Sequence, residues 1–480
     1  MLEKTPSKPR RCVADLLTAL LLATAAISSG CAPGTGPPGI DPAQTLTIAL
    51  GSEPTTLDPQ VRDDGGERAV NDNIHETLMA RTQDGSLVPG LAAEPPSQVG
   101  PATWEFRLRP GVQFHNGEPF NAASVVASIK RIVNPEFNSE QLSYFSTIED
   151  AKELGELTLQ IMTKGPDPIL PSRMYWMKMV PPEYSETEGF AENPVGTGPY
   201  RFVEELGTKL SGLFAGECDL VRNLLPEFLD QVPKGAHIQG PEIPVAILSA
   251  VSGPTKDPRV RRALNYAVDK QALARDLFGG YAHVANGQLL GPTVFGYTDT
   301  VGPYSYDPEK AKQLLAEAGA SGTSVEIIGT SGRWLKDREL LEAIAGYWQA
   351  VGLDVNVRIF EFDEYLNRLF DRQTRADALF FTSSNELFDA DRPFTAYLHS
   401  GGLGSSNNDH ELAKLIEGAR IETDSEQRKE LYAQAVRRVH DQAYLLSLLY
   451  IEDIYGMSER LDWQPRVDAK MLVKEMRISP

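Results

Sequence analysis

Hydrophobic positions alternate with polar ones over short stretches of this chain and switch to helical spacing between them. Leu46, Ile48 and Leu50 predict a first strand, stopped by Gly51-Ser52-Glu53-Pro54. Val70, Ile74, Thr77 and Leu78 share one helical face. Trp104, Phe106 and Leu108 alternate as a strand, and Leu157, Leu159 and Ile161 as another. Between those strands Asn121 is placed to cap a helix that turns Val125, Val126, Ile129 and Val133 inward.

The second half is more regular. Asp257 and Asp307 are each followed by proline, the pairing of an N-cap with a first helical residue. Behind them Val260, Leu264, Ala267 and Val268 form one apolar stripe. Ala311, Leu314, Leu315 and Ala318 form another, closed by Gly319. A third helix is predicted over 336–351, stopped by Gly352, and it feeds a strand in which Val355, Val357 and Ile359 alternate with polar residues. Thr423 and Glu426 have capping-box spacing for a fourth helix ending near Gln442. Residues 444–450 are apolar almost without a break, as in a strand covered on both faces. Strands alternating with helices predict an α/β lobe.

The N-terminus follows different rules. Lys8, Arg10 and Arg11 precede a short apolar run over 16–27, and Ser28, Ser29, Gly30 and Cys31 follow it. Basic flank, short apolar core and small residues read as a secretory signal over 1–30. A cysteine directly after that run resembles a bacterial lipobox, although Ser28 stands where that motif usually has leucine. Two readings stay open: Cys31 as the lipidated first residue of the mature chain, or an ordinary secretory signal with an incidental cysteine. The Gly/Pro-rich stretch 31–44 reads as a tether. Cys12 leaves with the signal and Cys31 would be lipidated, which leaves Cys218 without a thiol partner, a small buried hydrophobe by that reading.

Composition narrows the function classes. The chain has 480 residues, 46 basic and 66 acidic, for a net charge of −20. So acidic a surface speaks against a nucleic-acid partner, whose phosphates need Lys/Arg. No stretch after residue 30 approaches the roughly 18 apolar residues that cross a bilayer. Enzyme signatures are missing as well: there is no G-x-S-x-G elbow and no P-loop lysine motif. His410-Glu411 opens like a zinc-protease motif, but Lys414 takes the second ligand position. The seven histidines show no i, i+4 pair. The expectation is therefore a non-enzyme without metal or organic cofactor.

Asn193-Pro-Val-Gly-Thr-Gly-Pro-Tyr-Arg-Phe202 resembles the P-[VI]-G-T-G-P-Y-[KR]-F element of family 5 extracellular solute-binding proteins, the capture components of ABC importers. Further blocks resemble that family in order: 84–95, 103–131, 215–220, 257–270, 306–319 and 332–357. The resemblance implies a bilobal α/β fold that encloses an extended ligand by hinge closure. Lobe I would span 45–253 with a smaller subdomain at about 65–190, lobe II 254–449, and 450–480 would return to lobe I. It also implies the partners: a short peptide or similar solute, a permease with its ATPase, and the membrane through a lipid anchor. The protein would be a monomer in the bacterial cell envelope.

Two departures from the family pattern bear on the site. Only twelve residues separate Phe202 from Ala215, where the family has a longer segment, so lobe I looks shortened. The family's G-W-x-x-D-x-x-D-P stretch is echoed loosely by 382–392, without its tryptophan. In peptide binders an aspartate there holds the ligand's amino terminus. The resemblance thus nominates Asp389 and Asp391, with Asn385 beside them and Glu386 next if the alignment slides. Arg333 and Trp334, in a loop before a helix, are candidates for carboxylate pairing and stacking. A solvated acidic loop and a packed core ring are the competing readings. Two other functions remain to be weighed: a secreted peptide hydrolase, and an envelope protein that kept the fold but lost transport.

Overall fold

A computed structural model describes residues 45–50, 54–62, 65–202, 218–371 and 375–479, and within it three β-sheets organise the chain. The first holds Ile48–Ala49, Leu220–Arg222, Leu449–Met457 and Ala282–Val284, and Lys234–Gln239 also pairs with Leu449–Met457. The second runs Asp354–Phe360, Ser324–Thr330, Ala378–Ser383, Ile243–Leu248, Leu445–Ser447. Its first three strands are parallel and the last two antiparallel to their neighbours. The third is the antiparallel sheet of Ser97–Gly100, Thr103–Arg107, Thr158–Thr163 and Ile148–Gly155, the framework of a smaller subdomain. Cys31, the signal and the tether lie outside the described residues, as does the short segment after Phe202.

Helices cover the second sheet on both faces. Leu264, Leu315, Leu341 and Trp348 pack on one side, and Tyr365, Phe394, Tyr432 and Val436 on the other. That is why Ile243–Leu248 and Ala378–Ser383 are buried at every position. The Asp-Pro helix starts hold: Asp257 accepts from the Arg259 N–H and Asp307 from the Lys310 N–H. Gly319 sits at φ +66°, the left-handed stop expected of it.

Three expectations shift. The helix Gly65–Ile74 ends before Thr77 and Leu78, whose carbonyls instead take the N–H groups of Leu91, Gly90 and Ala92. The cap of the helix Ser425–Asp441 is Asp424, whose charged carboxylate accepts two backbone N–H groups, rather than the neutral Thr423. The apolar run at 444–450 is two strands, Leu445–Ser447 in the second sheet and Leu449–Met457 in the first. It is apolar because the chain passes from one core into another.

A second crossing lies beside it. Lys234–Gln239 belongs to the first sheet, Ile243–Leu248 to the second, and Gly240-Pro241-Glu242 joins them. The strand at 243–248, which precedes the expected lobe II start at 254, pairs with Ala378–Ser383 in the second sheet. The crossings are stitched together: the Gly240 N–H donates to the Ile451 carbonyl at 3.1 Å and the Leu448 N–H to the Pro244 carbonyl at 3.2 Å. A Cβ at Gly240 would meet an Asp453 carboxylate oxygen at 2.5 Å, so any side chain there would displace that carboxylate. The glycines of the 193–202 element work the same way. A Cβ at Gly196 or Gly198 would collide with the Ile74 carbonyl oxygen, at 2.1 and 2.6 Å.

One buried ion group ties the smaller subdomain to the returning tail. Asp72 lies 3.1 Å from both Lys178 and Lys470. Burial alone would raise the Asp72 pKa, but the two ammonium groups outweigh it and hold the carboxyl well below its ordinary 3.8. A depressed folded-state pKa contributes stability above the unfolded value, and that contribution is lost as pH falls through the folded one. Asp72→Ala leaves two buried cations without their anion and is expected to cost about 3–5 kcal/mol near neutral pH. In urea denaturation the deficit relative to the parent should shrink under acid. A deficit that is small, or constant with pH, contradicts this role.

Candidate functional site

Where the crossings meet the smaller subdomain, a cavity of ≈ 260 Å³ opens between the sheets. Its wall takes residues from every part: Arg222 from lobe I, Arg68, Tyr175 and Trp176 from the smaller subdomain, Glu242 from a crossing, and Arg333, Trp334, Ser384, Glu386 and Phe388 from lobe II. No histidine or cysteine is among its described lining residues.

Arg333 and Trp334 are held by their own loop. After Ser324–Thr330 the chain turns, and the buried Asp337 carboxylate accepts the N–H groups of Gly332, Arg333 and Trp334 at 2.9, 2.9 and 3.0 Å. The Trp334 ring meets Phe362 edge-on at 5.9 Å, and the Arg333 guanidinium lies over the same ring at 4.9 Å. Trp176 stacks on Tyr144 at 6.2 Å, and Arg68 lies over Trp176 at 5.5 Å. Aromatic planes and guanidinium groups of this kind suit the binding and orienting of a solute.

The carboxylates on the wall differ in how they are satisfied. Asp468 is bound by Arg466 at 2.7 and 2.9 Å and accepts the Tyr175 hydroxyl at 3.0 Å. Glu386 accepts from Arg392 at 2.8 Å and from the Tyr144 hydroxyl at 3.2 Å. Burial opposes the Glu386 charge, yet Arg392 and Arg68 prevail and hold its pKa at about 2. Glu242 is the contrast. Among the described residues no donor reaches its side chain, and burial, reinforced by Asp453, raises its pKa against the pull of Arg222, Arg68 and Arg333. Asp453 is bound on one oxygen only, by Arg222 at 3.4 Å; the other oxygen is buried without a partner.

Of the residues expected from sequence, Arg333, Trp334 and the alternative Glu386 line this cavity, and Asp389, Asp391 and Asn385 do not. Asp389 takes Arg428 through both oxygens, at 2.6 and 2.7 Å, on the rim of a separate, more open depression of ≈ 680 Å³. Asp391 sits between Arg173 at 2.8 Å and Arg420 at 3.0 Å. Asn385 donates its amide to the Asp389 carbonyl and so braces the turn. These three hold the 384–392 loop: Arg173 belongs to the smaller subdomain, so its pair with Asp391 reaches across to lobe II. Arg68, Arg222, Glu242 and Trp176 were not singled out from sequence. Only Glu242 left a trace, as one acid at the mouth of the apolar run 243–248.

This arrangement makes Asp389 and Asp391 stabilising groups. Asp389→Asn strands the buried Arg428 and is expected to lower unfolding free energy by about 3–5 kcal/mol. Asp391→Asn, with Arg173 still bound to Asp167, should cost less. Chemical denaturation checks both, and parental stability for Asp389→Asn would show that its pair with Arg428 does not hold the loop.

Comparison with known proteins places this geometry. Residues 86–209 and 207–405 match the family model for bacterial extracellular solute-binding proteins, family 5 (middle region). A dipeptide-binding protein of Escherichia coli is 27% identical over 85% of this chain and 89% of its own. A glutathione-binding protein of Pectobacterium atrosepticum is 29% identical over 66% of this chain and 69% of its own. Among solved structures, an ABC transporter substrate-binding protein of Listeria monocytogenes superposes with a TM-score of 0.80 at 18% identity, covering 91% of this chain and 99% of that one. The chain belongs to family 5 of the bacterial extracellular solute-binding proteins.

Proposed function

We propose that this chain captures a small charged solute, with short peptides as the leading class, in the cavity between its lobes and delivers it to the permease of an ABC importer. The observation that carries the reading is the cavity itself. It is walled by both lobes and the smaller subdomain, so a bound solute contacts every part and favours the closed state over the open one. A volume of ≈ 260 Å³ lies just below the range of about 300–1,000 Å³ usual for small-molecule sites. That suits a di- or tripeptide better than a long peptide or a macrocycle. The guanidinium groups of Arg68, Arg222 and Arg333 suit a carboxylate, and Trp334 and Trp176 supply flat apolar surface. The relatives named for dipeptide and glutathione binding support the same class. A hydrolase has less support. The one serine among the wall's described residues, Ser384, donates its hydroxyl to Glu386, which is held at a pKa of about 2 and is a poor base.

The test is mass spectrometry of solute released from natively purified protein, followed by calorimetry of that solute on Arg333→Ala and Trp334→Ala. Each variant is expected to weaken binding by about 10-fold or more. Parental affinity in both would move the site elsewhere, and turnover of the solute would favour the hydrolase. The proposal extends to the envelope: Cys31 carries the lipid that keeps the mature protein, as a monomer, at the membrane. A processed lipoprotein has several acyl chains, enough for stable retention where one is marginal. Cys31→Ala should release the protein into the soluble fraction, and unchanged membrane retention would contradict the anchor.

A further inference from the structure

The inner cavity of ≈ 260 Å³ and the outer, more open depression of ≈ 680 Å³ share one lining residue among the described ones, Phe388. It is buried in the 384–392 loop of lobe II and holds a φ of +55°. No other aromatic residue among the described ones has a positive φ. That backbone is rare for a bulky side chain and persists only where the surroundings impose it. Here they do: the Phe388 N–H donates to the Asn385 carbonyl at 3.2 Å, and the Phe388 carbonyl accepts the Phe295 N–H at 2.9 Å. The turn is held on both sides, and it sends the ring against the smaller subdomain. The Arg81 guanidinium lies over the Phe388 ring at 4.5 Å and over the Tyr175 ring at 4.9 Å, and it donates to the Leu387 carbonyl at 2.8 Å. A Cβ at Gly85 would stand 3.5 Å from the Phe388 ring. Tyr175 lines the inner cavity, and Arg81 and Gly85 line the outer depression. The stack of Phe388, Arg81 and Tyr175 thus touches both spaces and joins lobe II to the smaller subdomain.

We infer that Phe388 is the partition that sets the upper length of the solute: its ring closes the inner cavity toward the outer depression, and a longer peptide has to displace it. The inference rests on the peptide-binding reading above and adds the residue that fixes the size class. A solute that fits inside leaves the stack of rings and guanidinium intact. A longer one breaks it, so the discrimination comes from what the wrong ligand disturbs rather than from a contact the right one gains. Without the ring, the depression, with Ser172, Thr423 and Ser425 on its wall, becomes room for further residues of a peptide.

The experiment offers a casein hydrolysate with peptides of two to eight residues to ligand-stripped, refolded protein. Mass spectrometry identifies the peptides that each chain retains, and calorimetry measures their affinities. The chains are the parent, Phe388→Ala and Phe388→Gly. Both substitutions remove the ring, and Gly also suits the positive φ, so the second variant serves if the first fails to fold; urea denaturation checks both. The parent should bind two- and three-residue peptides about 10-fold or more tighter than those of five residues and longer. A folded variant should bind the longer peptides about as tightly as the short ones. A parent that binds long and short peptides alike overturns the inference, as does a folded variant that keeps the parent's length limit. In both cases the peptide-binding reading stands. If no chain retains any peptide, that reading and the inference fall together.

Discussion

Two of the passages that the chain makes between its two main sheets lie side by side, at 240–242 and at Leu448, and this pair constrains the rest of the molecule. Because the crossings are hydrogen-bonded to each other, they act as one narrow joint. A side chain in place of Gly240 would push aside the Asp453 carboxylate packed against it. On one side of that joint the second sheet is cored on both faces, around Trp348 on one and Tyr432 on the other. A cavity next to such a joint is where a small ligand gains most leverage over the closed state.

Charge pairing decides which acids are structural and which face the cleft. Asp389, Asp391 and Asp72 are each buried or nearly so and each held by one or two cations. Removing their partners would be costly, and their full pairing leaves them little to offer a ligand. Glu386 and Asp468 face the cavity but are equally satisfied. The arrangement leaves Glu242 as the carboxylate on the wall whose charge the described residues do not answer by hydrogen bonding.

Local patterns made most of the elements legible. Asp257-Pro258, Asp307-Pro308 and Gly319 act through neighbours a few residues away, so their meaning is written in short windows. The loop before the helix at Asp337–Ala350 is local in the same sense, because Asp337, which accepts the Arg333 and Trp334 N–H groups, is only four and three residues on. The roles of Asp389 and Asp391 were not legible, because their partners are distant: Arg428 lies 39 residues from Asp389, and Arg173 lies 218 from Asp391. No sequence window shows that such a charge is already neutralised. The apolar run at 444–450 misled in a related way, since a covered strand and a passage between two cores have the same composition.

The central claim is that ligand is held in the cavity beside the crossings, and amide hydrogen exchange with and without a saturating bound solute tests it most directly. The account predicts that protection on loading concentrates in 65–69, 240–242, 332–334 and 384–388, the segments that wall the cavity and join the lobes. Protection confined to 293–295 and 423–428, around the depression where Asp389 meets Arg428, would contradict it.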